Sequence, residues 1–112
     1  MNTVDIVQRQ VDAYNARDLA QFVACYADDI RVFRPPATEP SISGKAAFSE
    51  FYRTQRFNLP GLAAEIVNRM VLGNRVIDHE RITGVRAQPF EIAVAYEVAG
   101  RRIATVWTFA AD

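Results

Sequence analysis

The dipeptide Gly73-Asn74 constrains the fold of this chain most strongly, because apolar runs lie on both sides of it. A glycine-asparagine pair in this setting is a strong short-range signal for a β-hairpin with a two-residue turn. Such a turn fixes the register. The segment 62–72 is therefore predicted to pair with the segment 75–83, and Arg69 is predicted to face Asp78 across the strands.

Alternation along these two strands sorts their side chains into two faces. The face that we expect to line the interior carries Ile66, Asn68, Met70, Leu72, Ile77, His79 and Arg81. The opposite face carries Glu65, Val67, Arg69, Val71, Val76, Asp78, Glu80 and Ile82. On this interpretation Asp78 and Glu80 pair with Arg69 on an outer or dimer-facing surface. If the facing is inverted, Asp78 and Glu80 become a dyad in a pocket, and one of them has a raised pKa.

The bulk composition is that of one globular domain over residues 1–112. Hydrophobic residues make up 50% and the formal net charge is +0, which excludes a disordered chain and gives no reason to expect nucleic acid as a partner. Cys25 is the only cysteine and is predicted to be a small buried side chain. Because neither a signal peptide nor an apolar run of ~20 residues is evident, we expect a cytoplasmic protein with no membrane partner.

Three helices are predicted in the first half of the chain, each beginning after a residue that can cap it. Apolar residues at helical spacing predict the first helix over residues 4–16, with Asn2 or Thr3 as its cap. Asp18 is predicted to cap the second helix, and Ser43 the third.

The remaining segments alternate with the period of β-strands. A short strand is expected at residues 30–33, before a pair of prolines. A second alternating run covers residues 90–98, and Ala99-Gly100 is predicted to turn it into the last strand, so that Glu97 faces Arg102. The bulky side of that last strand is then formed by Ile103, Thr105, Trp107 and Phe109.

This order of elements predicts an α+β fold. One short early strand and four late strands form a strongly curved antiparallel sheet, a cone covered by three helices of the N-terminal half. A hollow of roughly 300 Å³ or more that is reached by His79 and Arg34 would favour the binding of a small molecule, whereas a filled cone would favour a non-catalytic module. The sequence contains no phosphate-binding loop, nucleophile elbow or metal-ligand cluster, so we expect no cofactor and no metal.

Several segments resemble the nuclear transport factor 2-like superfamily, whose small bacterial members include ketosteroid isomerases and SnoaL-like polyketide cyclases. The segments that carry this resemblance are 7–9, 14–19, 26–30, 43–47, Phe51-Tyr52, 96–98 and 100–104. The resemblance implies a cystatin/NTF2-like fold over nearly the whole chain. It is a poor guide to chemistry, because these segments are mostly caps, turns and core positions.

The catalytic pattern of ketosteroid isomerase can be compared with this sequence position by position. Arg34 stands where that enzyme has its aspartate base, and an arginine cannot accept a proton at neutral pH. Gln10 stands at the position of the helix-one tyrosine. The late-strand aspartic acid falls near Val94 or Ala95. The steroid-isomerase mechanism is therefore not expected to carry over.

If the protein is an enzyme, the predicted catalytic residues are His79, as the general acid or base, and Arg34, as a partner for a carboxylate or enolate. The residues predicted to bind the substrate are Gln10, Tyr14, Phe33, Asn68, Tyr96, Trp107 and Phe109.

Two functions are consistent with this sequence. In the first, an apolar cone binds a small hydrophobic molecule, and the protein is either a binder or a cofactor-independent isomerase, cyclase, dehydratase or hydrolase. In the second, the protein is a non-catalytic dimerising module. The resemblance also implies a homodimer formed through the exposed side of the sheet, at Ala93, Ala95, Ala104 and Val106.

Overall fold

Six strands form one curved, unclosed sheet in the computed structural model of the protein, which describes residues 2–111. The helices are α1 (Thr3–Asn15), α2 (Leu19–Ala24) and α3 (Lys45–Gln55). The strands are β1 (Tyr26–Phe33), β2 (Ile42–Ser43), β3 (Ala63–Leu72), β4 (Arg75–Thr83), β5 (Phe90–Ala99) and β6 (Arg102–Ala110). Their order in the sheet is β2-β1-β6-β5-β4-β3, and only β1 and β6 run parallel to each other. The predicted α+β class is confirmed.

The N-terminal strands differ from the prediction in extent. Helix α2 ends at Ala24, and β1 already begins at Tyr26, so the early strand is eight residues long. A two-residue strand, β2, pairs with its end and was not predicted. So short a strand leaves no periodic signal in a sequence.

Two of the three predicted helix caps are confirmed. The Asn2 side chain accepts a hydrogen bond from the backbone N–H of Asp5 at 2.9 Å, and Asp18 accepts one from Gln21 at 3.1 Å. Ser43 is not the cap of α3, because it lies in β2. Gly44 occupies the cap position with φ +87° and offers no side-chain hydrogen bond.

The hairpin of β3 and β4 has the predicted register near its turn, where Arg69 faces Asp78. Gly73 adopts φ +57° at the first turn position. The pairing then shifts between Ile66 and Asn68, which makes Val67 an extra residue, a β-bulge.

The facing predicted for this hairpin is wrong for β4 and for β3 between the bulge and the turn, whereas Ile66, which lies beyond the bulge, pairs with Glu80 and is on the inner face as predicted. Val76, Asp78 and Glu80 of β4 are buried under the helices, whereas the side chain of His79 is 45% exposed. Apolar residues lie on both faces of the hairpin, so alternation alone did not distinguish the inside from the outside.

The register predicted for β5 and β6 is also wrong. Gly100 and Arg101 form the turn, both with positive φ, and Ala99 pairs with Arg102. The pairing skips Ala104, which is a second β-bulge. The bulge reverses the facing of the residues beyond it, so Val106 is buried inside the cone and is not part of the exposed side expected for a dimer.

Aromatic rings fill much of the space between the helices and the sheet. Phe22 and Phe48 are 1% exposed, and the ring centroids of Phe48 and Tyr26 lie 4.3 Å apart. Tyr14 and Phe57 complete this cluster at its edge. None of the helices within residues 2–111 is long and apolar enough to cross a membrane.

Gly84 follows the last residue of β4 and packs against the backbone of Gly61 and Leu62, just before β3. Its φ is +87°, and a Cβ at this position would overlap the carbonyl of Gly61 and lie 2.6 Å from the backbone nitrogen of Leu62. We expect Gly84→Ala to lower the free energy of unfolding by about 3 kcal/mol, because backbone would have to move. The measurement is urea denaturation.

Gly73→Ala is the matched control. Gly73 also has positive φ, but a Cβ there meets nothing within 4 Å. The control should lose only about 1 kcal/mol, from conformational strain alone. Equal losses for the two variants would contradict the close approach of Gly84 to Gly61.

Candidate active site

A cavity of about 170 Å³ lies between the helices and the concave face of the sheet. Most of its lining is apolar or aromatic. Its polar lining residues are Gln10, Tyr14, Tyr26, Arg34, Tyr52, Arg56, Glu80, Arg86, Tyr96 and Thr108. Gln10, Tyr26, Glu80 and Tyr96 are buried, whereas Arg34 is exposed, so the cavity has a polar closed end and a basic open end.

Glu80 is the only acidic residue among the residues of 2–111 that line the cavity. The side chain comes from the middle of β4, and the residue is 5% exposed. The Tyr96 hydroxyl donates a hydrogen bond to Glu80 Oε2 at 2.9 Å. The pKa of Glu80 is raised from its ordinary value of 4.5 to about 7, chiefly by burial. The hydrogen bond from Tyr96 opposes this rise, the charge of Asp78 adds to it, and the charge of Arg69 opposes it least. Glu80 therefore changes its protonation state near neutral pH.

Asp78 is fully buried but has a different role from Glu80. Both of its carboxylate oxygens accept hydrogen bonds from Arg69, from Nε at 2.6 Å and from Nη2 at 2.9 Å. Arg69 also donates to Gln8 of α1 at 2.8 Å, and its hydrogen bond to the Asp78 carboxylate raises the pKa of the arginine. Because Arg69 holds Asp78 in a bidentate ion pair, Asp78 is a structural anion that positions the hairpin.

Gln10 brings a hydrogen-bond donor to the closed end of the cavity. The Tyr26 hydroxyl donates to Gln10 Oε1 at 2.8 Å. The residue is 3% exposed, and Gln10 Nε2 has no hydrogen-bond partner among residues 2–111. A buried N–H group without a partner is costly, and in a cavity wall it is suited to a ligand oxygen.

Tyrosine side chains surround the cavity on several sides. Tyr14 comes from α1, Tyr26 from β1, Tyr52 from α3 and Tyr96 from β5. Burial raises the pKa of all four, that of Tyr52 to about 12. They stay neutral at physiological pH and can donate hydrogen bonds.

The structure brings four of the predicted site residues to the cavity. These are Arg34, Gln10, Tyr14 and Tyr96. Their predicted roles in binding or catalysis remain predictions.

The other predicted site residues lie outside the cavity, on the convex face of the sheet. They are His79, Asn68, Phe33, Trp107 and Phe109. His79 is displaced because β4 has the opposite facing, and its Nε2 lies 2.5 Å from Oε1 of Glu91, another surface residue. Trp107 and Phe109 are displaced by the bulge at Ala104.

Sequence reasoning missed Tyr26, Tyr52 and Arg56 as lining residues. Tyr26 lies before the strand predicted at residues 30–33, and Arg56 follows α3 without any motif. Glu80 was foreseen only in the inverted interpretation of the hairpin, in which it shares a pocket with Asp78.

Solved structures with this arrangement of helices and sheet have the cystatin/NTF2-like fold. A cystatin-fold protein from Novosphingobium aromaticivorans is similar to this chain with 21% identity and a TM-score of 0.87, over 96% of this chain and 97% of the other. A candidate ketosteroid isomerase from Kribbella flavida has 22% identity and a TM-score of 0.84, over 98% and 78%. A candidate polyketide cyclase from Sinorhizobium meliloti has 19% identity and a TM-score of 0.80, over 96% and 99%.

The family model of the SnoaL-like domain matches residues 7–112. The chain therefore belongs to the SnoaL-like domain family, and the resemblance found in its sequence is confirmed. Similarity at these levels of identity defines the fold, whereas the activity has to be inferred from the residues of the site.

Replacing Glu80 is expected to change how stability depends on pH. Because the pKa is raised on folding, the folded state holds a proton that the unfolded state releases above pH 4.5. The free energy of unfolding should thus fall by up to about 3 kcal/mol as the pH rises from 4.5 through 7. Glu80→Gln removes this decline, so its stability relative to wild type should increase by that amount between pH 4 and pH 8, as measured by urea denaturation.

Asp78→Asn is the comparison, because it changes the other buried acid on the same strand. It leaves Arg69 without its anion and should cost roughly 3 kcal/mol at pH 7. A stability difference between Glu80→Gln and wild type that does not vary with pH would show that the Glu80 pKa is not raised.

Proposed function

We propose that the protein is a cofactor-independent enzyme that binds a small molecule of about one ring in the cone and moves a proton on it through Glu80. The observation that carries this proposal is the buried Glu80 carboxyl, with a pKa of about 7, in the wall of the cavity. A general acid or base is most effective when its pKa lies near the working pH. Both forms of Glu80 are then available at neutral pH.

The size of the cavity limits the ligand. Its volume of about 170 Å³ is below the roughly 300 Å³ at which sites for drug-sized ligands begin. It is close to that of an apolar cavity of ~150 Å³ that holds benzene. We therefore expect a single-ring compound, and a four-ring steroid is too large, although a similar structure is that of a candidate ketosteroid isomerase.

The chemistry that fits this site is proton transfer next to a carbonyl group. The Glu80 carboxylate takes a proton from the carbon beside the carbonyl, and the electron pair of that C–H bond moves towards the carbonyl oxygen. Gln10 Nε2 donates a hydrogen bond to this oxygen as its negative charge develops. Return of the proton from Glu80 to another carbon completes an isomerisation. The same enolate can instead attack a second carbonyl carbon of the molecule, whose oxygen then takes the proton from Glu80, which gives a cyclisation. It can also expel a hydroxyl group from the neighbouring carbon, which leaves as water with the proton from Glu80, and this gives a dehydration.

His79 is not assigned a part in this reaction, because it lies on the convex face beside Glu91. Glu80 takes the proton-transfer role that the sequence suggested for the histidine. Arg34 keeps its proposed role as a partner for a negatively charged oxygen.

Exchange of the α-hydrogens of cyclohexanone for deuterium tests the proton transfer without knowledge of the natural substrate. We expect the wild-type protein to accelerate this exchange in D2O near neutral pH, as followed by ¹H NMR. Glu80→Gln should reduce the rate by about 100-fold, the usual contribution of a general base.

Glu91→Gln is the matched control for this experiment. Glu91 is an acid that lies against His79 outside the cavity, so its loss should leave the exchange rate unchanged. Exchange that does not depend on Glu80, or that is no faster than in buffer, would overturn the proposed proton transfer.

A second candidate function, the dimerising module, is favoured by the convex face of the sheet. One row of directly paired residues crosses five strands and consists of Phe33, Trp107, Ala95, Ile77 and Met70. Polar contacts flank it on both sides, with the Arg75–Glu97 ion pair on one side and the His79–Glu91 contact on the other. We propose that a second copy of the chain covers this row, because paired charges around an apolar centre are complementary to themselves under two-fold symmetry.

Ala95→Arg places a charge at the centre of this row. We expect light scattering at micromolar concentration to give a dimer mass for wild type and a monomer mass for this variant. Ala20→Arg, on the exposed part of α2, should remain dimeric. A monomeric wild-type protein would remove the dimer proposal and leave the enzyme proposal untouched.

A further inference from the structure

The charges in the cavity lining are strongly unequal, and this asymmetry points to the class of ligand. Arg34, Arg56 and Arg86 line the cavity, whereas Glu80 is the only acid among its described lining residues. The arginines come from three different segments: the end of β1, the end of α3 and the loop between β4 and β5. A cavity of otherwise apolar character with this charge balance favours an anion.

Arg34 is the arginine that is most clearly available to a ligand. Its side chain is at the open end, and its guanidinium group has no hydrogen-bond or ion-pair partner among residues 2–111. Its charge lowers the pKa of Tyr52, a phenol of the cavity wall, against the larger effect of burial. The guanidinium group therefore lies within electrostatic range of the cavity.

Arg56, the residue that follows α3, lies at the same end of the cavity. It lies over the ring of Phe51, with 5.1 Å between its Cζ atom and the ring centroid, and it donates one hydrogen bond to the backbone oxygen of Gln55. Its charge lowers the pKa of both Tyr14 and Tyr52. Arg34 and Arg56 thus act on the same region of the cavity wall.

The closed end of the cavity favours a neutral group of the ligand rather than an anion. Gln10 Nε2 is a buried donor without a partner in the described part of the chain, and Tyr26 already occupies the amide oxygen. This end suits a neutral acceptor such as a carbonyl oxygen. A carboxylate would be disfavoured here, because it would lie near Glu80, which is partly ionised at neutral pH, and near Asp78, the buried anion behind it.

We propose that the ligand is a single-ring carboxylate with a carbonyl group at the other end of the ring. Arg34 and Arg56 hold the carboxylate at the open end, and Gln10 Nε2 binds the carbonyl oxygen at the closed end. Guanidinium groups match a carboxylate in both charge and geometry, so this end fixes the orientation in which the ring enters. The inference rests on the proposed function, because it concerns the same cavity and places the carbonyl group within the part of the site that contains Glu80.

A pair of probes that differ only in charge tests this inference. The probes are 4-oxocyclohexane-1-carboxylate and its neutral carboxamide, titrated into wild type, Arg34→Met, Arg56→Met and Arg31→Met by calorimetry at low salt. We expect wild type to bind the carboxylate about tenfold more tightly than the carboxamide, the usual difference for a charge-assisted contact. Arg34→Met and Arg56→Met should each reduce this preference by at least about threefold.

Arg31→Met is the matched control. Arg31 lies three residues before Arg34 and is likewise exposed, but it lies over the ring of Phe33 and is not part of the cavity lining. Its loss should not change the preference for the carboxylate. An equal effect of Arg31→Met would mean that surface arginines outside the cavity attract the carboxylate equally well, and the inference would be wrong.

The remaining outcomes separate this inference from the proposed function. Equal affinity for the two probes would overturn the carboxylate and leave a cavity that binds neutral rings. If neither probe binds, both proposals are overturned. Tighter carboxylate binding that depends on Arg34, together with α-hydrogen exchange that does not depend on Glu80, would support the inference and remove the proton transfer.

Discussion

The bidentate ion pair between Arg69 and Asp78 determines which side of the β3–β4 hairpin faces the helices. A carboxylate can be fully buried only when its charge is compensated, and Arg69 supplies two hydrogen bonds to it while also contacting Gln8 of α1. The face that contains Asp78 is thereby stable inside the fold. Glu80 lies two residues further along the same strand and is carried inside with it, because alternate residues of a strand share a face.

The candidate chemistry follows from the difference between these two acids. Asp78 has both oxygens bound to an arginine, whereas Glu80 contacts the neutral hydroxyl of Tyr96. Burial without a cation is what brings the pKa of Glu80 close to neutrality. Two carboxyl groups on one strand thus acquire a structural role and a chemical role from their partners. Their spacing in the sequence does not distinguish these roles, because it is the same whichever face of the strand is buried.

The bulge at Ala104 determines which residues of β6 face the inside of the cone and which face the outside. Without the extra residue at Ala104, the alternation of β6 would place Trp107 and Phe109 in the cavity, where the sequence suggested they belong. With the bulge, Val106 and Thr108 line the cavity and the large rings lie on the convex face. Because the large rings face outward, room for a ring-sized ligand remains inside the cone. The same rings form an apolar surface outside that a second copy could cover.

The sequence by itself determined the order of helices and strands, the capping of α1 and α2, the register of β3 and β4 near their turn, and the membership of the fold class, because these depend on local spacing and turn chemistry. Only the tertiary structure decided that Glu80 and not His79 lies inside. Both faces of the hairpin contain apolar residues, so the choice depends on Arg69, Asp78 and Gln8, which come from three segments and meet only in the folded chain. The position of Ala104 outside the regular pairing was hidden for the same reason, since a bulge is stabilised by the strands on either side of it and leaves no periodic mark in its own sequence.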